Sequence, residues 1–95
     1  MDLPIVSFDC DIDTQMSNLY YNAVTALYFN NFVGMTEASK GILNLLVKIK
    51  DLNNRFPLSL SKKNWVYLML LLVTAMCVRL GESPDAISQY TYLIY

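Results

Sequence analysis

Lys62-Lys-Asn-Trp-Val-Tyr-Leu-Met-Leu-Leu-Leu-Val-Thr-Ala-Met-Cys-Val-Arg-Leu80 is the stretch that decides the fold of this chain. From Trp65 to Val78 only Thr74 is conventionally polar. A mid-helix Thr can return its hydroxyl to the carbonyl four residues back, so it does not interrupt an apolar run. Ser61 reads as the cap of this helix, and Gly81 stands where a left-handed residue would stop it. The helix over about Asn64–Leu80 is therefore apolar on every side. Its apolar core is about fourteen residues, or roughly 21 Å at 1.5 Å per residue. A bilayer needs about twenty residues to cross roughly 30 Å of hydrocarbon. Lys62 and Lys63 stand before the run and Arg79 and Glu82 after it, so its flanks do not lengthen it. A buried core helix is the favoured reading, and a membrane span is the lesser one. A helix apolar all round needs other helices to surround it.

The flanking sequence supplies them. Upstream, Met16, Leu19, Tyr20, Ala23, Ala26 and Leu27 recur at three-to-four spacing, which predicts a first helix over Thr14–Phe32. Asn30, Asn31 and Gly34 punctuate its end. Thr36 opens a second helix, whose stripe is Ile42, Leu43, Leu46 and Ile49 and which ends near Asn53-Asn54. Phe56-Pro57 is an extended link, because the residue before Pro is pushed out of the helical region. Downstream, Ser83-Pro84-Asp85 is a cap, a Pro at the first helical position and an acid in the first turn. It predicts a fourth helix carrying Ala86, Ile87, Tyr90, Leu93 and Ile94 to Tyr95. Residues 1–13 read as an extended arm. Asp9, Asp11 and Asp13 alternate there as in a calcium loop, but Thr14 and Tyr20 occupy the positions where such a loop needs Gly and Glu. The expected fold is all-α: a small orthogonal bundle of about four helices around the central apolar one, as a single domain over 14–95.

Composition bounds the function. The chain has 95 residues, 55% of them apolar, with a mean hydropathy of +0.33. That is more apolar side chain than one small domain comfortably buries. Seven Tyr and four Phe add to a surplus suited to interface cores. Net charge is −1, so no global field argues for nucleic acid. Six of the seven basic residues lie between Lys40 and Lys63, Lys48 among them, which makes at most a local docking surface.

There is no His, which removes the commonest general base and the commonest metal ligand. Gly34, Gly41 and Gly81 are isolated, so no phosphate-cradling loop forms. Cys10 and Cys77 are too few for a disulfide framework or a metal knuckle. No cofactor and no enzyme activity are expected. Acids and a Pro near Met1, where a secretion signal carries basic residues and an apolar run, point to an intracellular protein, cytoplasmic or nuclear.

One family likeness narrows this. Met35–Leu52, then Pro57-Leu-Ser-Leu-Ser-Lys-Lys-Asn-Trp65, then Tyr67–Ala75 resemble the middle of a cyclin box, most closely of the cyclin Y type. In that family an Asn-Trp pair opens a very apolar third helix, as Asn64-Trp65 does here. An acidic turn and a tyrosine-bearing helix follow it, matched by Gly81–Asp85 and Tyr90–Ile94. The likeness covers roughly residues 17–95. It implies a regulatory partner of a cyclin-dependent kinase, with Asn64 and Trp65 as core signature. The family's kinase contact uses a Lys near the end of the third helix and a Glu in a fifth. The Lys position falls on Val78, with Arg79 beside it, and the fifth helix has no counterpart before Tyr95. A box without that helix leaves one side of the third helix uncovered. Arg79, Lys48, Tyr67 and Tyr90 are the candidate partner-binding residues. Beside this kinase reading stands a broader one, a structural or viral subunit buried against neighbouring proteins of a complex. A short membrane-embedded subunit is the third.

Overall fold

The computed structural model describes residues 4–95, with side chains from Ile12 onward. Three long helices, α1 (Pro4–Tyr28), α2 (Phe32–Arg55) and α3 (Leu60–Leu80), are followed by a single-turn helix α4 (Asp85–Ser88) and a 3-10 turn over Thr91–Ile94. The described residues contain no strand.

Each long helix presents one stripe to a shared core. On α1 it is Ile12, Met16, Ala23 and Ala26, with Leu19 partly buried between them. On α2 it is Met35, Ala38, Ile42, Leu45 and Ile49, and on α3 Val66, Met69, Val73 and Met76. All three follow alternating steps of three and four, the spacing that lets helices pack nearly side by side.

Contacts along the seams give the directions. Asp13 pairs with Lys62 at 3.1 Å, and Arg79 reaches the end of α1 at Leu27 and Asn30. α1 and α3 therefore run parallel along most of their length. Leu19 of α1 meets Gly41 of α2, and Ala26 meets Gly34, so those two run antiparallel. The arrangement is an aligned up-down-up bundle, not the orthogonal one expected. The common heptad-like spacing favours alignment, and Gly41 lets α2 come close: a Cβ there would lie 2.6 Å from Leu19 Cδ2.

The boundaries also depart from expectation. Residues 4–13, read as part of an extended arm, belong to α1; residues 1–3 lie outside the described residues. Pro4 is the first residue of the helix, where its missing N–H has no partner to lose. Ile12 extends the buried stripe one turn before Met16. Asn30 ends α1 with a left-handed φ of 54°, while the Asn31 N–H donates back to the Ala26 carbonyl at 2.9 Å. The Asn31 side chain then caps α2, accepting from the Gly34 N–H at 3.0 Å. α2 thus begins four residues before Thr36, whose hydroxyl donates to the Phe32 carbonyl inside the helix.

Ser59, not Ser61, caps α3 by accepting from the Lys62 N–H at 3.2 Å, so Leu60 falls within the helix. Gly81 ends α3 at φ 74°, as expected. The fourth helix does not reach Tyr95. Ser88, Gln89 and Thr91 side chains donate to the Asp85, Ala86 and Ser88 carbonyls, competing with a continuous ladder. The segment tightens instead, and Ile87, Tyr90 and Leu93 recur at three-residue spacing as its buried contacts.

The core lies between the helices, so α3 forms one wall of it and is not wrapped. α1 and α2 cover its inner face and the C-terminal segment packs along it as well. No described element covers the side opposite the core.

Candidate docking surface

That open side of α3 has a pattern of its own. Leu60, Asn64, Tyr67, Leu71, Thr74 and Val78 follow steps of four and three, a second heptad-like seam on the same helix. Leu60 is 76% exposed, Tyr67 50%, Leu71 49% and Val78 67%. Leu68 and the small Ala75 lie beside them, also exposed. Lys62 and Lys63 turn off this face. Lys62 is engaged by Asp13, and the Lys63 ammonium donates to the Tyr95 carbonyl at 3.0 Å. Over most of α3's length the free face carries no charge.

α1 extends the apolar surface on one edge. Tyr20 meets Trp65 edge-on, with ring centroids 6.0 Å apart, and stays 39% exposed; Val24, one turn on, is equally exposed. Arg79 closes the far end. Its Nη2 donates to the Leu27 carbonyl at 3.4 Å and to Asn30 Oδ1, satisfying groups left open where α1 stops. At that same end, the turn between α1 and α2 exposes Tyr28, Phe29, Phe32 and Val33.

The residues singled out from sequence divide between surfaces. Tyr67 lies on the free face. Asn64 is exposed there too, so it is no core residue, whereas Trp65 is partly buried and packs against the core. Arg79 is at the rim, already engaged with α1. Tyr90 is 6% exposed and belongs to the core, because three-residue spacing in the C-terminal segment turns it inward. Lys48 is exposed but lies elsewhere, in a shallow cleft of about 330 Å³ between α1 and α2 with Gln15, Asn18 and Asn44. Leu60, Leu71 and Val24 were not singled out, Val78 was named only as the place of the family's Lys, and Tyr20, read into the apolar stripe of the first helix, lies partly exposed at its edge. The seam's four-and-three spacing over 60, 64, 67, 71, 74 and 78 is present in the sequence.

Among the described residues no three His, Cys, Asp or Glu side chains gather as a metal site. Burial pushes the Cys77 thiol above its ordinary value, and the Glu82 carboxylate adds to the shift, so the reactive thiolate is suppressed. A second open cleft of about 310 Å³ lies along the α1–α2 seam between Asn22, Thr25, Asn31 and Glu37, and the Gly34 backbone forms part of its lining. α3 is the one described helix long and apolar enough to cross a membrane, and 33% of its most apolar stretch is buried within the bundle. No family model, curated protein or solved structure matches the chain.

Proposed function

We propose that this chain is a non-catalytic helical binding module that docks a protein partner on the free face of α3. One observation carries the reading: an uncharged row of exposed large apolar side chains, Leu60, Tyr67, Leu71 and Val78 with Asn64 and Thr74 between them, runs the length of a helix whose opposite side already fills the core. Monomeric proteins rarely leave such a surface to water, and contiguous apolar patches mark interaction sites. Protein is favoured over lipid by the rest of the bundle. Val66, Met69, Val73 and Met76 are fully buried against helices that expose Glu37, Lys40, Lys48 and Asp51. A spanning α3 would either draw those charges toward the bilayer or abandon its core.

A photo-reactive residue placed at position 71, compared with one at position 48, tests this in cells. Protein cross-links at 71 and few at 48 are expected; lipid adducts alone, or equal labelling at both sites, would overturn it. A cyclin-dependent kinase is the specific partner that the cyclin-box likeness implies, and a larger assembly is the broader one. For the kinase, micromolar capture by the chain that Leu71→Glu abolishes is the expected result. No capture by the unaltered chain would remove the kinase from consideration and leave the docking face standing.

A further inference from the structure

We infer that the occupant of this face is a second copy of the chain, packed antiparallel along the outer seam of α3 about position 69. The inference rests on reading α3 as a docking face and names its partner.

Self-complementarity carries it. In antiparallel helix pairs of this type, the two seam positions of the heptad meet each other across the interface. Centred on position 69, Leu60 faces Val78 of the copy, Tyr67 faces Leu71, and Asn64 faces Thr74. The four apolar positions pair with apolar ones, and the two polar positions pair with each other. The Thr74 hydroxyl already donates to the Leu70 carbonyl at 2.7 Å, which leaves its oxygen to accept from the Asn64 amide of the copy. By symmetry this contact occurs twice, and polar layers placed within an apolar seam are a device that fixes register.

A parallel pair would instead set Arg79 near Arg79 and align the helix dipoles. The antiparallel one puts each positive helix start beside a negative helix end. With Leu68 alongside, the seam is a single helix face, narrower than the about 800 Å² per partner of a standard stable interface. That suits a reversible pair better than an obligate one.

Sedimentation equilibrium of the full chain from about 1 to 100 µM is the first measurement. The expected result is a mass rising from 10.9 kDa toward twice that value, with Leu71→Glu weakening association at least tenfold and leaving far-UV circular dichroism unchanged. Register is tested with Cys10→Ser and Cys77→Ala in place, by mixing a Leu60→Cys chain with a Val78→Cys chain. The two should form a mixed disulfide and neither should link to itself, since two copies of position 60 would lie about 27 Å apart along the axis. A monomer throughout, a dimer indifferent to Leu71→Glu, or self-linking through position 60 would each overturn the inference. A monomer that still cross-links to another protein through position 71 overturns the dimer alone. A chain that does neither overturns the docking reading as well.

Discussion

α2 and α3 serve the same core and part company on the side turned away from it. Each buries one stripe at steps of three and four: Met35, Ala38, Ile42, Leu45 and Ile49 on one, Val66, Met69, Val73 and Met76 on the other. The outward side of α2 then carries Glu37, Lys40, Asn44, Lys48 and Asp51, with Val47 as its mid-helix apolar exception. Asp51 pairs with Arg55 in its last turn. The outward side of α3 carries Leu60, Tyr67, Leu71 and Val78. Folding demands only one apolar stripe per helix, and α2 meets that demand with the usual amphipathic solution. The second stripe on α3 does nothing for the monomer's core. It is part of the apolar surplus that the fold does not use, along with Tyr28, Phe29, Phe32 and Val33 at the α1–α2 turn.

The largest effects test whether the inner faces are equivalent. Ile42→Ala and Met69→Ala should each lower stability by about 2–5 kcal/mol in urea denaturation. A loss under 1 kcal/mol for Met69→Ala would mean that α3 is not built into the core as α2 is. Trp65 sits between inside and outside, so Trp65→Ala should cost about 2 kcal/mol, below the range for a wholly buried Trp.

The start of α2 comes next. Asn31→Ala removes its cap and should cost about 1 kcal/mol. Gly34→Ala should do comparable harm by another route, since a Cβ there would lie 2.9 Å from Asn31 Nδ2. The double variant should then lose less than the two single losses added together, because both act on one cap.

Smaller still are the outer faces. At concentrations where the chain is monomeric, Leu71→Ser and Lys48→Ser should both stay within about 0.5 kcal/mol of the parent. Only the former should lose a concentration-dependent rise in melting temperature. A large monomer loss for Leu71→Ser would erase the contrast between the helices. The least effect is that of Cys77. Its thiol is raised in the folded state, so the stability tied to it is full below the ordinary thiol range and is lost as pH rises through the folded value. Cys77→Ala should flatten that alkaline slope.

How much of this was legible depended on whether a feature left a period in the sequence. The Ile42–Leu46–Ile49 stripe of α2 stands against polar neighbours, and Gly81 ends an apolar run, so both could be read directly. The start of α1 could not, because Asp9, Asp11 and Asp13 interrupt the pattern through which Ile12 joins Met16. In the C-terminal segment Ser83-Pro84-Asp85 announces a helix, but its early end depends on three side chains competing for carbonyls. The free face of α3 was legible only as an apolar surplus with nothing to cover it. Two heptad seams overlaid on one helix cancel each other's periodicity, so "apolar on every side" and "apolar on two sides for two reasons" look alike. Tyr67 and Tyr90 make the same point: one chemistry, opposite surroundings, decided by which neighbours the backbone brings.

The two rungs that join α1 to α3 have a bearing on how the chain folds. Asp13 and Lys62 are 49 positions apart, and so are Asn30 and Arg79. The first rung to close pays the loop entropy of a long excursion. The second pays almost none, because two stiff helices already in parallel register bring it into reach. The α1–α2 seam closes over shorter separations than either α1–α3 rung, 8 residues at Ala26–Gly34 and 22 at Leu19–Gly41, so it can form before α3 docks. Until α3 does, Ile42, Leu46 and both apolar faces of α3 are open together, which makes that docking step the moment at which this chain is most exposed to aggregation.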